Sequence, residues 1–190
     1  MTFRMTVVSA VAVVAAGVLT QASAGEIDDI RAATAKYADV NVALADGFIP
    51  DPSGCISAAA EGLPAELGAM GIHYIHPGRL GITATEPKVD GNGMVTDFAT
   101  PSILLYEPQA DGSLKLIGVE NLVFQAAWKA AGNDGPPMFG AQVWDSMADD
   151  MNTSGDEAHA FMPHYDLHVW TERENPSGMY MAFNPAVTCP

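Results

Sequence analysis

Residues 101–123 limit the fold of this chain more than any other stretch. Two apolar runs, Ile103-Leu-Leu-Tyr106 and Leu114-Lys-Leu-Ile-Gly-Val-Glu-Asn-Leu-Val123, flank Ala110-Asp-Gly-Ser113. Asp-Gly between two strand-type runs signals a hairpin, because the tight turn needs residues that tolerate positive φ. The second run is apolar on both alternating faces, so it belongs in the middle of a sheet rather than at its edge. A two-residue turn at Asp111-Gly112 sets Glu120 opposite Ile103 and Glu107 opposite Leu116. Both glutamates then share a face, roughly 13 Å apart along the strand. That exceeds the about 6.5–9.5 Å between carboxylates that flank a glycosidic bond, which argues against glycosidase chemistry.

The remaining pattern supplies helices and further strands. Ile27, Ile30, Ala33, Tyr37, Val40 and Leu44 recur at steps of three and four, which predicts one amphipathic helix over 26–44. Pro50-Asp-Pro-Ser-Gly54 reads as turn chemistry that stops it. Residues 58–70 are Ala-rich but broken by Gly and Pro, giving a short helix or loop. After Gly71 the character changes to strand, with Ile72, Tyr74 and His76 on one face and His73 and Ile75 on the other. Residues 124–131 and 141–151 read as short helices, 132–140 as a Gly/Pro loop able to cover a pocket, and 163–170 as a strand. The fold class expected is α+β, an N-terminal helix packed on an antiparallel sheet that can curl towards a barrel.

The ends place the protein. Arg4, the apolar run 7–19 and Ala22-Ser-Ala24 have the order of a signal peptide over 1–24, leaving 25–190 as one globular domain. The apolar run is shorter than the about 20 residues of a bilayer span, so a periplasmic or secreted location is expected. With 8 Lys and Arg against 23 Asp and Glu, the formal charge is −15, which disfavours nucleic acid as a partner. Cys55 and Cys189 are the only cysteines, and an oxidising compartment favours their pairing as a disulfide over a thiolate–metal site.

Four of the five histidines lie in two apolar stretches, Gly71-Ile-His-Tyr-Ile-His-Pro77 and Pro163-His-Tyr-Asp-Leu-His-Val-Trp170. On a strand, His164, Asp166 and His168 point the same way, but His164 and His168 stand roughly 13 Å apart, too far to share one ion. His168 lies deeper in its apolar run and is the better ligand. His73 is preferred to His76, which reaches the same centre only if the chain bends at Pro77. Glu120, mid-strand, is costly to bury without a metal, a cation or a proton. His73, His168 and Glu120, with His76 or His164 added, suit a divalent transition metal such as Fe, Zn, Mn or Cu with positions open to a small molecule. Glu120 then serves as ligand or general base, and Tyr74 and Tyr106 as pocket walls for substrate.

Two alternatives stay open. The histidines can be hydrogen-bonded core residues of a non-catalytic binding or structural protein, with Glu120 paired to Arg79 or Arg173. Copper handling is the other, because Met147, Met151, His159, Met162 and His164 gather in sequence and thioether with imidazole suits copper. No phosphate loop, serine-nucleophile elbow or Cys-x-x-Cys is present. The sequence sets no oligomeric state.

The phrases His73-Tyr-Ile-His-Pro77, Leu105-Tyr-Glu-Pro108, Ile117-Gly-Val-Glu120, Leu167-His-Val-Trp170, Asn175-Pro-Ser-Gly-Met179 and Asn184-Pro-Ala-Val-Thr-Cys189, taken together, resemble a group of exported, uncharacterised bacterial proteins. The resemblance covers most of the chain after the signal. It implies an envelope or secreted location and supplies no mechanism. In that group Asn often stands in the place of His76, which weighs against His76 as a ligand.

Overall fold

A computed structural model describes residues 23–152 and 158–190. The expected signal segment lies outside them except for Ser23 and Ala24. Ser23 caps the first helix, α1 (Ala24–Thr34): its hydroxyl accepts from the Glu26 amide while Glu26 reaches back to the Ser23 amide. The chain then tightens into a 3-10 turn, Ala35–Ala38, and restarts as α2 (Val40–Ala45) behind an extended Asp39 that caps it. One uninterrupted helix over 26–44 is therefore not formed. The break rephases the buried side, so Ile27, Ile30, Tyr37 and Ala43 are buried while Leu44 is exposed.

Among the described residues ten strands follow, six of them in one sheet. In chain order they are β1 (Ile49–Ser57), β2 (Ala69–Ile75), the short pair β3 (Ile82–Ala84) and β4 (Asp90–Gly91), β5 (Ile103–Pro108), β6 (Leu114–Phe124), another short pair β7 (Met138–Phe139) and β8 (Gln142–Val143), then β9 (Asp145–Met147) and β10 (His164–Val169). Helices α3 (Pro77–Leu80) and α4 (Gln125–Ala130) are short connections between them, of four and six residues. The main sheet is antiparallel with order β1-β2-β5-β6-β10-β9 and curls into a half-barrel, so the expected α+β class holds. β6 is central, flanked by β5 and β10.

Three local expectations change. The Pro-rich segment read as a turn is edge strand β1, where missing N–H donors and a break in register between Pro50 and Cys55 are tolerated. Residues 141–151 are not helical, because tertiary pairing of β9 with β10 overrides the local helix preference. The hairpin turn carries three residues, with the Gln109 amide on Ser113 O and Gly112 left-handed at φ 83, a type I turn closed by a bulge. Glu107 consequently faces Lys115 rather than Leu116.

A second irregularity restores the register. Tyr106 pairs with Leu116 but Leu105 pairs with Gly118, leaving Ile117 as the extra residue of a β-bulge. The Ile117 carbonyl takes the amides of Glu172 and Arg173 instead. Beyond the bulge Glu120 faces Ile103, as the sequence implied. Leu116 and Val119, three residues apart, both join the core under α1 and α2 with Tyr74, Tyr106 and Leu167. Ile117 and Leu122 join the core of the opposite face with Ile75, Ile103 and Trp170. Glu120 lies on that second face. Cys55 of β1 and Cys189 form a disulfide spanning 134 residues, which holds the C-terminal tail against the same side. Among the described residues no helix is long and apolar enough to cross a membrane.

Candidate metal centre

Three strands supply one buried group. His73 comes from β2, Glu120 from β6 and His168 from β10. Glu120 and His168 are cross-strand partners, and Ile103 of β5 completes their row up to Ile75 of β2. Strand alternation puts His73 and Ile75 on the same face. In a flat sheet β2 and β10, three strand spacings apart, would stand roughly 14 Å from each other. Yet His73 Nε2 and His168 Nε2 are 3.4 Å apart, because the sheet curls and this face is its inner side.

Glu120 Oε2 lies 3.1 Å from His73 Nε2 and 3.3 Å from His168 Nε2. The three atoms thus form a nearly equilateral triangle with edges of 3.1, 3.3 and 3.4 Å. Ligand atoms held about 2.0–2.1 Å from a tetrahedral ion stand roughly 3.3–3.4 Å apart, so the spacing of these three atoms would suit a single ion. All three residues are buried, and the group is able to hold a metal ion. The His168 ring stacks on Trp170, two residues along, at 6.3 Å between centroids, and meets the His73 ring edge to face at 5.6 Å. These contacts hold the imidazoles with Nε2 inward.

The protonation states suit a cation. Burial pushes the His168 imidazole down to about 4, leaving it neutral at pH 7 with a free lone pair. Burial alone would raise the Glu120 carboxyl, but the imidazoles of His168 and His73 outweigh it and hold the group ionised, at about 2. Glu120 Oε2 and His73 Nδ1 make no aligned hydrogen bond despite being buried. The basic side chains considered as partners for Glu120 are elsewhere. Arg173 Nη2 donates to Glu107 at 2.5 Å, and Arg79 Nη1 donates to Pro101 O at 2.6 Å.

The other sequence candidates separate from this centre. His76 ends β2 on the far face, where its Nδ1 accepts the Arg79 amide and its ring packs edge-on to Phe48. Tyr74 and Tyr106 also belong to the far face, stacked edge to face at 4.9 Å, with the Tyr106 hydroxyl donating to Tyr37 O. They are core residues under the N-terminal helices rather than pocket walls, because strand alternation turns them from His73. His164 stays on the inner face two steps beyond Asp166 and lines the same cleft outside the triangle. Its Nδ1 meets Met162 O at 3.0 Å, and burial lowers its pKa. Of the thioether and imidazole group, Met147, His159 and His164 line the same cleft, with His159 also turned to Glu61, while Met151 is 93% exposed. The loop 132–140 packs through Phe139 on Phe98, on the side away from the cleft.

Sequence reasoning passed over Asp145 and Asp166, which line the cleft beside the triangle. Asp166 is raised well above the usual carboxylate range, by burial first and then by Glu120 and Asp145. Its position between His164 and His168 on an alternating strand was the available signal. Comparison with protein-family models, curated proteins and solved structures finds no match to this chain.

Proposed function

We propose that this is an exported metal-binding protein that holds one divalent transition metal on His73 Nε2, His168 Nε2 and Glu120 Oε2, with the cleft side of the ion open to a small molecule. The triangle of ligand atoms carries this reading. Its edges suit tetrahedral Zn(II), and a set of two imidazoles and one carboxylate with open positions also serves Fe(II) or Mn(II). Glu120 acts as ligand rather than general base, because the same oxygen faces both imidazoles. A bound ion supplies Lewis acidity in a largely apolar recess. The chain's own residues fix the ion, exclude bulk water and leave the carboxylates of the cleft to orient what enters. Export is supported by the expected signal segment, by the disulfide and by the resemblance to exported bacterial proteins.

A purely structural trio is the competing reading. It leaves Glu120 ionised and buried with no aligned hydrogen bond to Oε2, an expensive arrangement without a cation. Elemental analysis of protein recovered from the periplasm or medium, before and after chelation and reloading, separates the two. We expect one equivalent of a transition metal, lost in His73→Ala and in His168→Ala. Failure of the wild-type protein to take up Zn, Fe, Mn or Cu after reconstitution would overturn the proposal.

A further inference from the structure

Beyond the triangle, the cleft keeps a buried imidazole nitrogen that no donor reaches. Along β10 the inner face presents His164, Asp166 and His168, paired across the ladder with Phe124, Leu122 and Glu120 of β6. His164 is 3% exposed and lines the cleft. Its Nδ1 lies 3.0 Å from the Met162 carbonyl, which can only accept, so Nδ1 carries the proton. Burial lowers the imidazole pKa and so favours the neutral ring. Nε2 is then a bare acceptor. The Asp166 carboxyl stands 3.9 Å from it, beyond hydrogen-bond distance, and no side chain among the described residues donates to it. The Phe161 ring meets the imidazole edge to face at 5.8 Å between centroids and brings no donor.

The geometry assigns this cleft an uncharged, mainly apolar molecule whose single hydroxyl donates to His164 Nε2, with its apolar body over Leu122 and Ile103 towards the triangle. The inference rests on the metal reading for what happens at the far end of that molecule, and not for its seat at His164. Strand positions set the layout. Leu122 stands opposite Asp166, between the rows of His164 and His168, and Ile103 faces Glu120 from β5. His164 and His168 are four residues apart on β10, roughly 13 Å by strand rise, which limits the molecule to about one ring or a short chain. No Lys or Arg lines the cleft, so an anion finds no counter-charge on its walls. Its acids do not call for a cation. Glu120 faces two imidazoles, Asp166 has a backbone hydrogen bond, and Asp51 and Asp145 stand on the edge strands β1 and β9. A buried acceptor among apolar walls selects instead for a ligand that brings a donor, since a ligand without one leaves it unpaired.

Benzyl alcohol and anisole match in size and differ in that donor, which makes them the probes. Histidine-selective nitrogen-15 NMR at neutral pH, with the His164 signals assigned by their loss in His164→Phe, reads the nitrogen directly. We expect Nε2 to be unprotonated, to move to lower frequency as it accepts from benzyl alcohol, and to stay in place with anisole. Titration should find the alcohol about 5-fold tighter than anisole in wild type, the net effect of one hydrogen bond, and no tighter in His164→Phe. His164→Gln, which keeps an acceptor, should recover part of the preference, and both variants should still take up one zinc. Benzylammonium and benzoate should bind more weakly than the alcohol. A protonated Nε2, equal affinity for alcohol and anisole, or a preference that survives His164→Phe overturns the inference. So does tighter binding of either ion, or loss of zinc in His164→Phe, which would make His164 a ligand. The alcohol preference in a protein that takes up no zinc would keep this inference and overturn the metal reading alone.

Discussion

Glu120 carries opposite consequences depending on whether a metal is present, and this makes it the most informative residue to change. In the metal-free protein it is a buried carboxylate whose Oε2 has no aligned hydrogen bond, and an ionised group buried without a cation is costly. Glu120→Gln should therefore leave the chelated protein at least as stable as wild type. The same variant should lose metal affinity by more than ~100-fold, since even residues that merely support a ligand contribute about 10–100-fold. Thermal melts with and without zinc check both halves, and a Glu120→Gln protein that is less stable when chelated would indicate a structural trio. Acid acts through His168. Its folded pKa is depressed from 6.5 to about 4, so the unfolded chain takes up the proton first. The stability it contributes is complete above pH 6.5 and is lost as the pH falls from there towards 4, by about 3 kcal/mol from the size of the shift. Glu120, depressed from 4.5 to about 2, extends the loss below pH 4.5. Asp166 works in the other direction, because its raised folded pKa favours the protonated native state as the pH falls. Comparing wild type with His168→Gln reports the histidine together with its hold on Glu120. In urea unfolding with chelator, wild type should lose stability relative to the variant between pH 7 and pH 4.5. A constant difference across that range would contradict a neutral, buried His168.

The bulge in β6 decides at the level of the element whether the residues can meet. Strict alternation from Leu116 would put Glu120 among the side chains under α1, away from both histidines. The extra residue at Ile117 turns it to the inner face. Gly118 permits the bulge, because a Cβ there would stand 2.8 Å from Val169 O on β10. Gly118→Ala must push β10 and His168 away from β6, with a destabilisation of about 1–3 kcal/mol for overpacking. It should also weaken zinc more than Val119→Ala, which trims the far core without touching the site. Equal metal affinity in the two variants would remove the bulge from the account. The same detail shows what was legible in the sequence. The hairpin, the central place of β6, the pairing of Glu120 with Ile103 and the shared face of His73 and Ile75 all follow from alternation and turn chemistry. The three-residue turn and the bulge shift the register in opposite senses and cancel before Glu120, so its partner was legible although Glu107's was not. Strand β1, rich in Pro, could not be told from a turn because its strand character depends on pairing with β2 alone. The meeting of His73 with His168 was legible as chemistry but not as distance, since it depends on the curl of four strands.

For the whole molecule, the Cys55–Cys189 disulfide and the metal centre stabilise by different routes and can be separated. The disulfide closes a loop of 134 residues, which in the chain-entropy picture is worth about 5 kcal/mol, acting mainly on the unfolded chain. The metal acts on the native state alone, because β2, β6 and β10 bring the ligands together only when the sheet is formed. None of the ligands lies in the tail, whose connection to the sheet includes the disulfide and the paired contacts of Ala69 with Asn184. A Cys55→Ala/Cys189→Ala double variant should unfold at markedly lower urea concentration yet keep its zinc affinity while folded. Zinc supplied at about a hundred times its dissociation constant should then restore about 2.7 kcal/mol, roughly half of what the disulfide contributed. Urea titrations of both proteins at matched free zinc, with zinc affinity measured separately below the transition, give the two quantities. If the double variant instead lost zinc affinity under conditions where its circular dichroism remained native, the tail would be part of the site's scaffold. The inner face would then owe its geometry to the cross-link as well as to the ladder of the sheet.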